Sequence, residues 1–191
     1  MAAILQAARE VMRAQGVANM NLQDVARSVG MRAPSLYHYF PSRLAIYDAL
    51  FVMGMQMYRS RAERIWAEEG ATWAGIRRIM TDYLDFALEH PELYQLLFER
   101  PVPGFMPSPA GIEESLKVRA LGERISAEAI ANGTLPSGLP ADAITNFMIA
   151  IMHGITAQHL ANEPHLPADQ GRFGSLIPVV LDMLKTAWRR E

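Results

Sequence analysis

At 191 residues, 50% hydrophobic and 20% charged, the chain has the composition of a folded globular protein with room for a substantial core. It holds no Cys, which excludes a disulfide scaffold, thiolate metal centres and cysteine catalysis. A net charge of −2 excludes a non-specific polycation, yet it averages two unlike parts: residues 1–50 carry five Arg and three acids, whereas the remainder carries thirteen Lys and Arg against seventeen acids. No apolar run reaches the roughly 18 residues of a membrane span and no signal-peptide pattern opens the chain, so a cytoplasmic protein is expected.

Helices are expected throughout, giving an all-α fold with no strand pattern, internal repeat or low-complexity tract. Ile4, Ala8 and Val11, flanked by Leu5 and Met12, form the apolar face of a first helix that should stop at Gly16. The stretch NLQDVARSVGMRAPSLYHYFPSR, Asn21 to Arg43, follows. Leu22, Val25, Ala26 and Val29 recur at i, i+3, i+4 and i+7, the pattern of a short helix with one apolar face. Gly30 then supplies a left-handed residue, Pro34 sits in the first turn of a second helix, and Pro41 ends it. Two short helices joined by a tight Gly turn have the geometry of a helix-turn-helix, whose second helix enters the major groove. No acid occurs between Asp24 and Asp48, while Arg27, Arg32, His38 and Arg43 do, so this surface can approach phosphates. The bland alternative is an ordinary solvated helical pair.

The segment GMRAPSLYHYFPSR resembles the signature of the TetR family of transcriptional regulators. It has a turn Gly, a helix start rich in small residues, Leu-Tyr-x-x-Phe, and a basic residue three positions after the Phe. LQDVARSVG resembles the first helix of that family's motif, and ILQAAREVMRAQG resembles the helix that braces it, so the likeness covers residues 4–50. It implies a three-helix DNA-binding domain over residues 1–45 and a helical effector-binding and dimerisation domain over 46–191. It also implies phosphate contacts from Tyr37 and Arg43, with Arg32, Ala33, Ser35 and His38 among the residues facing base edges. Arg32 departs from the family's usual capping Ser or Thr, leaving the first N–H groups of the recognition helix to Ser35 or water. Arg43 stands for a frequent Lys and adds a fork able to grip a phosphate. The first residues, Met1-Ala2-Ala3-Ile4, carry no basic arm, so minor-groove contact from an arm is not expected.

Beyond Arg43 comes the longest helix, capped by Ser42, stopped by Gly70, and about 40 Å long. It is the natural mechanical link between DNA-binding and effector regions. Ile76, Ile79, Met80, Tyr83, Phe86 and Ala87 share a face of the next helix, which breaks at His90-Pro91. A short helix over 92–99 is followed by RPVPGFMPSPAG, which four Pro and two Gly make irregular. Phe105 and Met106 in that loop either plug the core or wall a ligand cavity. LLFERPVPGFMPSP resembles the middle of a TetR subgroup with a His-Gly motif on a later helix, matched here by His153-Gly154. Helices over 109–132 and 142–162 follow, the latter apolar nearly all round between Phe147 and Ile155 and therefore expected to be buried on more than one side. The last helix carries Phe173, Leu176, Ile177, Val180, Leu184 and Trp188, with Pro178 marking a kink or a late start.

Catalysis has no support: there is no phosphate loop and no nucleophile turn, and no catalytic residue is assigned. His153 and His159 are six apart, on different helix faces, and Asp82, Asp85 and Glu89 read as a solvated face, so neither a metal nor a cofactor is expected. The Met residues are either gap-filling core or the adaptable lining of an apolar cavity. On the second alternative the effector would be an apolar or amphipathic small molecule, met by Met53, Met57, Trp66, Tyr83, Phe86, Phe105, Met106, Met152 and His153. Excess apolar surface on the two terminal helices, at Phe147, Ile151, Ile155, Phe173, Ile177, Val180, Leu184 and Trp188, points to a homodimer. The expected function is a regulator, a repressor released from a palindromic operator in double-stranded DNA by its effector. The alternatives are a DNA-binding protein without effector and a helical small-molecule carrier.

Overall fold

The computed structural model describes residues 1–188, and the last three residues of the expected 46–191 domain lie outside them. The described chain is helical, with no strand. Its elements are α1 (Ala2–Gln15), a 3-10 turn (Val17–Asn19), α2 (Leu22–Ser28), α3 (Ala33–Leu36), α4 (Arg43–Glu69), α5 (Trp73–Glu89), α6 (Pro91–Tyr94), a π-helical turn (Gln95–Glu99), α7 (Pro109–Ala131), α8 (Ala141–Asn162) and α9 (Leu176–Ala187). They group into two compact units. The first holds Met1–Met57 with His90–Ser115, and the second holds Tyr58–Glu89 and the chain from Leu116 on.

In the first unit, α1 buries Ile4, Ala7, Ala8, Val11 and Met12 and packs on α2, which packs on α3. The expected stops are present: α1 ends at Gly16, and Gly30 takes φ +66°, a conformation that Gly adopts without steric cost. α2 is capped by Asn21, whose side-chain oxygen accepts from the Asp24 N–H at 2.9 Å. The second helix of the motif is short, four residues from Ala33 to Leu36. Its start at Arg32 carries no side-chain cap bond. The expected 92–99 helix is divided: one α turn, then the π turn, closed by Arg100 at φ +50°.

The second unit has its own core, in which Met80 and Leu84 of α5 meet Leu121, Ile125, Ile144, Ile155, Ile177 and Leu181. α5 packs against α8 and α9. The last helix starts late, at Leu176, so that Pro178 falls in the first turn and Phe173 precedes the helix. The reading of α8 as buried on more than one side is corrected: Phe147 and Ile149 are each 45% exposed. Apolar character alone does not say whether a face meets its own core or remains uncovered.

Candidate DNA-binding and effector-binding residues

The helix-turn-helix positions its candidates by burying their neighbours. Leu36 and Phe40 are buried, which turns Arg32, Tyr37 and His38 outward, with Ala33 and Ser35 half-buried between them. Tyr39, a position that the sequence reading passed over, is also exposed. Its signal was the run Tyr-His-Tyr between the apolar positions Leu36 and Phe40. Arg43 is exposed at the start of α4, its guanidinium carbon 5.9 Å from the Tyr47 ring centroid and its Nη1 donating to the Met20 carbonyl at 3.4 Å. Burial pushes the Tyr47 phenol up, partly offset by Arg43.

The other Arg residues of residues 1–50 are not equivalent. Arg27 pairs with Asp24 at 2.6 Å, and amide donors from Gln15 and Asn21, with the Arg27 charge, hold the Asp24 carboxyl below its ordinary range. Arg9 and Arg13 turn to Glu92 of α6 instead, at 2.8 and 2.5 Å. The exposed cations of the helix-turn-helix region are therefore Arg27, Arg32 and Arg43.

The effector candidates fall into two sets. Tyr83, Phe86, Trp66, Met152 and His153 belong to the second unit; Met53, Met57, Phe105 and Met106 belong to the first. In the second unit the Tyr83 hydroxyl lies 3.2 Å from His153 Nδ1, and Tyr58 packs edge-on to Tyr83, ring centroids 5.4 Å apart, and against Phe86 at 5.7 Å. Burial raises the Tyr58 phenol, and the Asp82 charge adds to this. Tyr58 was missed because nothing in its sequence context distinguishes it from core. Met152 and His153 are half-buried, while Tyr83 and Phe86 are buried. Trp66 has little to offer a ligand: Arg124 covers one face at 4.2 Å and Glu128 takes its indole N–H at 3.0 Å. In the first unit Met53 and Met57 are half-buried, Phe105 packs on Tyr47 and Phe51, and Met106 is 72% exposed.

The acidic run on α5 is corrected as well. Asp82 takes a two-pronged bond from Arg61, with contacts of 2.9–3.0 Å, and Glu89 a further one at 2.5 Å, so this is an ion network rather than a freely solvated face. Burial opposes the Arg61 charge, but the bonds to Asp82 and Glu89 outweigh it and hold the guanidinium above its ordinary value. Asp85, left without that fork, is raised by burial and by the charges of Asp82 and Glu89. Among the described residues no cluster of His and carboxylates is arranged to hold a metal, and no helix is long and apolar enough to cross a membrane.

The dimer candidates divide by exposure. Ile155 and Ile177 are enclosed by their own chain, and Ile151, Phe173, Val180, Leu184 and Trp188 are half-buried. Phe147 and Trp188 meet each other with centroids 5.9 Å apart, and Trp188 stacks on Trp73 at 6.3 Å. The uncovered apolar side chains on these helices are Phe147, Ile149, Leu176, Val179 and Met183. Val179 and Met183 line an open groove on α9 with Asp182, Thr186 and Ala187.

Residues 4–50 match the family model described as bacterial regulatory proteins, tetR family, and residues 76–177 match a tetracyclin repressor-like C-terminal domain. The nucleoid occlusion factor SlmA of Marinomonas sp. (strain MWYL1) is 30% identical over 169 residues, 84% of this chain and 82% of that protein. A protein of unknown function from Rhodococcus sp. RHA1 shares the fold with a TM-score of 0.81 at 26% identity, covering 99% of this chain and 95% of that one. The transcriptional regulator FadR of Bacillus subtilis, solved in complex with stearoyl-CoA, shares the fold alone, with a TM-score of 0.77 at 18% identity over 98% of this chain and 99% of that one. With both halves of the chain matched, a helix-turn-helix in place and no enzymatic role in the family, the protein belongs to the TetR family of DNA-binding transcriptional regulators.

Proposed function

We propose that this regulator is a cytoplasmic homodimeric repressor that leaves a palindromic operator when an apolar or amphipathic small molecule binds its C-terminal part. Residues 1–45 act on DNA in this reading, and the rest of the chain binds effector and pairs with a second copy. The observation that carries it is the polar contact between the Tyr83 hydroxyl and His153, set beside the rings of Tyr58 and Phe86. Apolar walls with one or two polar atoms suit a ligand with a long apolar body and a polar end. The stearoyl-CoA of B. subtilis FadR is a molecule of that chemistry, on the same fold. His153-Gly154 would then place the chain in the subgroup with that motif. Ligand binding would favour a state whose recognition helices no longer match the two half-sites. Selection of duplexes from a random DNA pool, followed by operator binding with and without acyl-CoAs of graded length, tests both halves of the reading.

A second reading is favoured by the SlmA relative, whose name is that of a nucleoid occlusion factor. On that reading the chain binds DNA and has no small-molecule effector. Selected sites scattered over a chromosome, with affinity indifferent to every acyl-CoA, would establish it.

A further inference from the structure

Phe105 stands in the Pro-rich segment between the π turn and α7, and its ring lies 5.9 Å from that of Tyr47 and 6.2 Å from that of Phe51. The segment is fixed to α4 beyond Phe105 as well: the Ser108 N–H donates to Asp48 Oδ1 at 2.7 Å. A Cβ at Gly111 would come within 3.2 Å of the Phe51 ring, so the backbone there is close against α4. Tyr47 in turn has two further contacts. Its hydroxyl donates to the Val17 carbonyl at 2.5 Å, and the Arg43 guanidinium lies 5.9 Å from its ring. Arg43 also reaches the Met20 carbonyl. Residues 17–20 lead directly into Asn21, the cap of α2. One side chain thus touches the loop, the exposed cation at the start of α4, and the turn that enters the helix-turn-helix. Tyr47 is 0% exposed, so it cannot touch DNA itself.

We propose that Tyr47 is a positioning residue for DNA binding, through which the seating of Phe105 sets the placement of Arg43 and of the Val17–Met20 turn. All of these residues belong to the first unit. A ring is required at position 47 because two neighbours use its surface, and a hydroxyl because the turn is held by it. A ring that served only as a core plug would be enclosed, whereas Phe105 is half-buried and its neighbour Met106 is 72% exposed. The inference rests on Arg43 meeting a phosphate and is independent of any effector.

The test uses the full-length protein and a duplex that the unaltered protein selects from a random pool, with every variant assayed well below its own melting temperature. Phe105→Ala is expected to lower affinity about fivefold and to reduce the salt slope by about one unit, as Arg43→Ala does. In an Arg43→Ala background it should cost less than in the unaltered protein, only the part carried by the Val17–Met20 turn remaining, and Phe105→Tyr should keep the original affinity. Tyr47→Phe should weaken binding with the slope unchanged, since the ring still holds Arg43. A Phe105→Ala protein that binds normally, or whose loss adds in full to that of Arg43→Ala, overturns the relay while leaving the phosphate contact standing. Normal affinity and slope for Arg43→Ala overturn both.

Discussion

Arg9 and Glu92 lie 83 positions apart and are joined by a 2.8 Å bond to a carboxylate whose side chain is only 1% exposed. Arg13 holds the other oxygen, and Arg9 Nη2 lies 2.9 Å from His90 Nδ1. The two Arg differ in burial, 12% against 40% exposed, and this decides what their loss should cost. Arg9→Ala leaves the enclosed Glu92 carboxylate without its more buried partner and should cost about 3 kcal/mol in urea unfolding. Arg13→Ala removes a partner that water largely replaces and should cost no more than about 1 kcal/mol. Equal losses would show that burial does not set the hierarchy.

This ion cluster also marks where sequence reasoning stopped. The helix-turn-helix was legible because its signals are local: the spacing of Leu22, Val25, Ala26 and Val29, the φ-positive Gly30, and Pro34 in a first turn. Glu92 in a short helix reads as an ordinary first-turn acid, and nothing in its neighbourhood names partners on α1. The excess of base counted over residues 1–50 therefore includes Arg9 and Arg13, although both are engaged by Glu92. The same gap explains α8 and α9. Periodicity showed that these helices are apolar, but which apolar residues meet the chain's own core is a tertiary fact, and Ile177 and Val179 are two positions apart with opposite answers.

On the DNA side, Tyr37 and Arg43 are expected to act on all sequences alike, because phosphate contacts position a protein without reading bases. Tyr37→Phe should weaken every duplex by a similar factor. Changes at Arg32 or His38, exposed on the segment expected to face the groove, should alter base preference instead. Repeating the random-pool selection with each variant separates the two classes: an unchanged motif for both Arg32→Ala and His38→Ala would remove these residues from base readout.

Asp85 gives a pH dependence of stated sign. Burial, then the charges of Asp82 and Glu89, raise its pKa in the folded chain. The folded state therefore binds this proton more tightly than the unfolded state does. Its contribution to stability is present below the ordinary carboxylate range and is lost as pH rises through the raised value. Asp85→Asn removes the cost of ionisation, so at pH 7 the melting temperature should rise by about 2 °C, a modest figure because water screens a half-buried carboxyl. At pH 3.5 the difference should vanish. A gain that persists undiminished in acid would assign it to packing rather than charge.

Assembly can be tested without confusing dissociation with unfolding, because exposure separates the two kinds of position on α9. Met183 is 67% exposed and Val179 51%, so Glu at either leaves the fold of a single chain intact. If α8 and α9 form the two-fold contact, each substitution occurs twice in it and should convert the dimer to monomer at micromolar concentration, as read by sedimentation. Ile177, 3% exposed, serves as the contrast: a charge there should lower the melting temperature instead. A Met183→Glu protein that sediments as a dimer would move the interface elsewhere.

The effector prediction turns on the 3.2 Å contact between Tyr83 and His153. A ligand whose polar end engages these atoms must replace their mutual bond, so Tyr83→Phe and His153→Ala should each weaken it, by about tenfold for one lost hydrogen bond of about 1.4 kcal/mol. Trp66→Phe should not, since the indole N–H is already taken by Glu128. Stearoyl-CoA is a suitable probe, and its binding can be followed by thermal shift and titration. Binding alone would not establish a switch: a tenfold loss of operator affinity needs about 1.4 kcal/mol of coupling, and by reciprocity the operator must weaken stearoyl-CoA to the same degree. Measuring both directions separates a regulator from a protein that merely holds an acyl chain. Tight binding that neither Tyr83→Phe nor His153→Ala disturbs would place the ligand away from this pair. No binding by stearoyl-CoA or shorter acyl-CoAs, with intact operator recognition, would favour the effector-free reading.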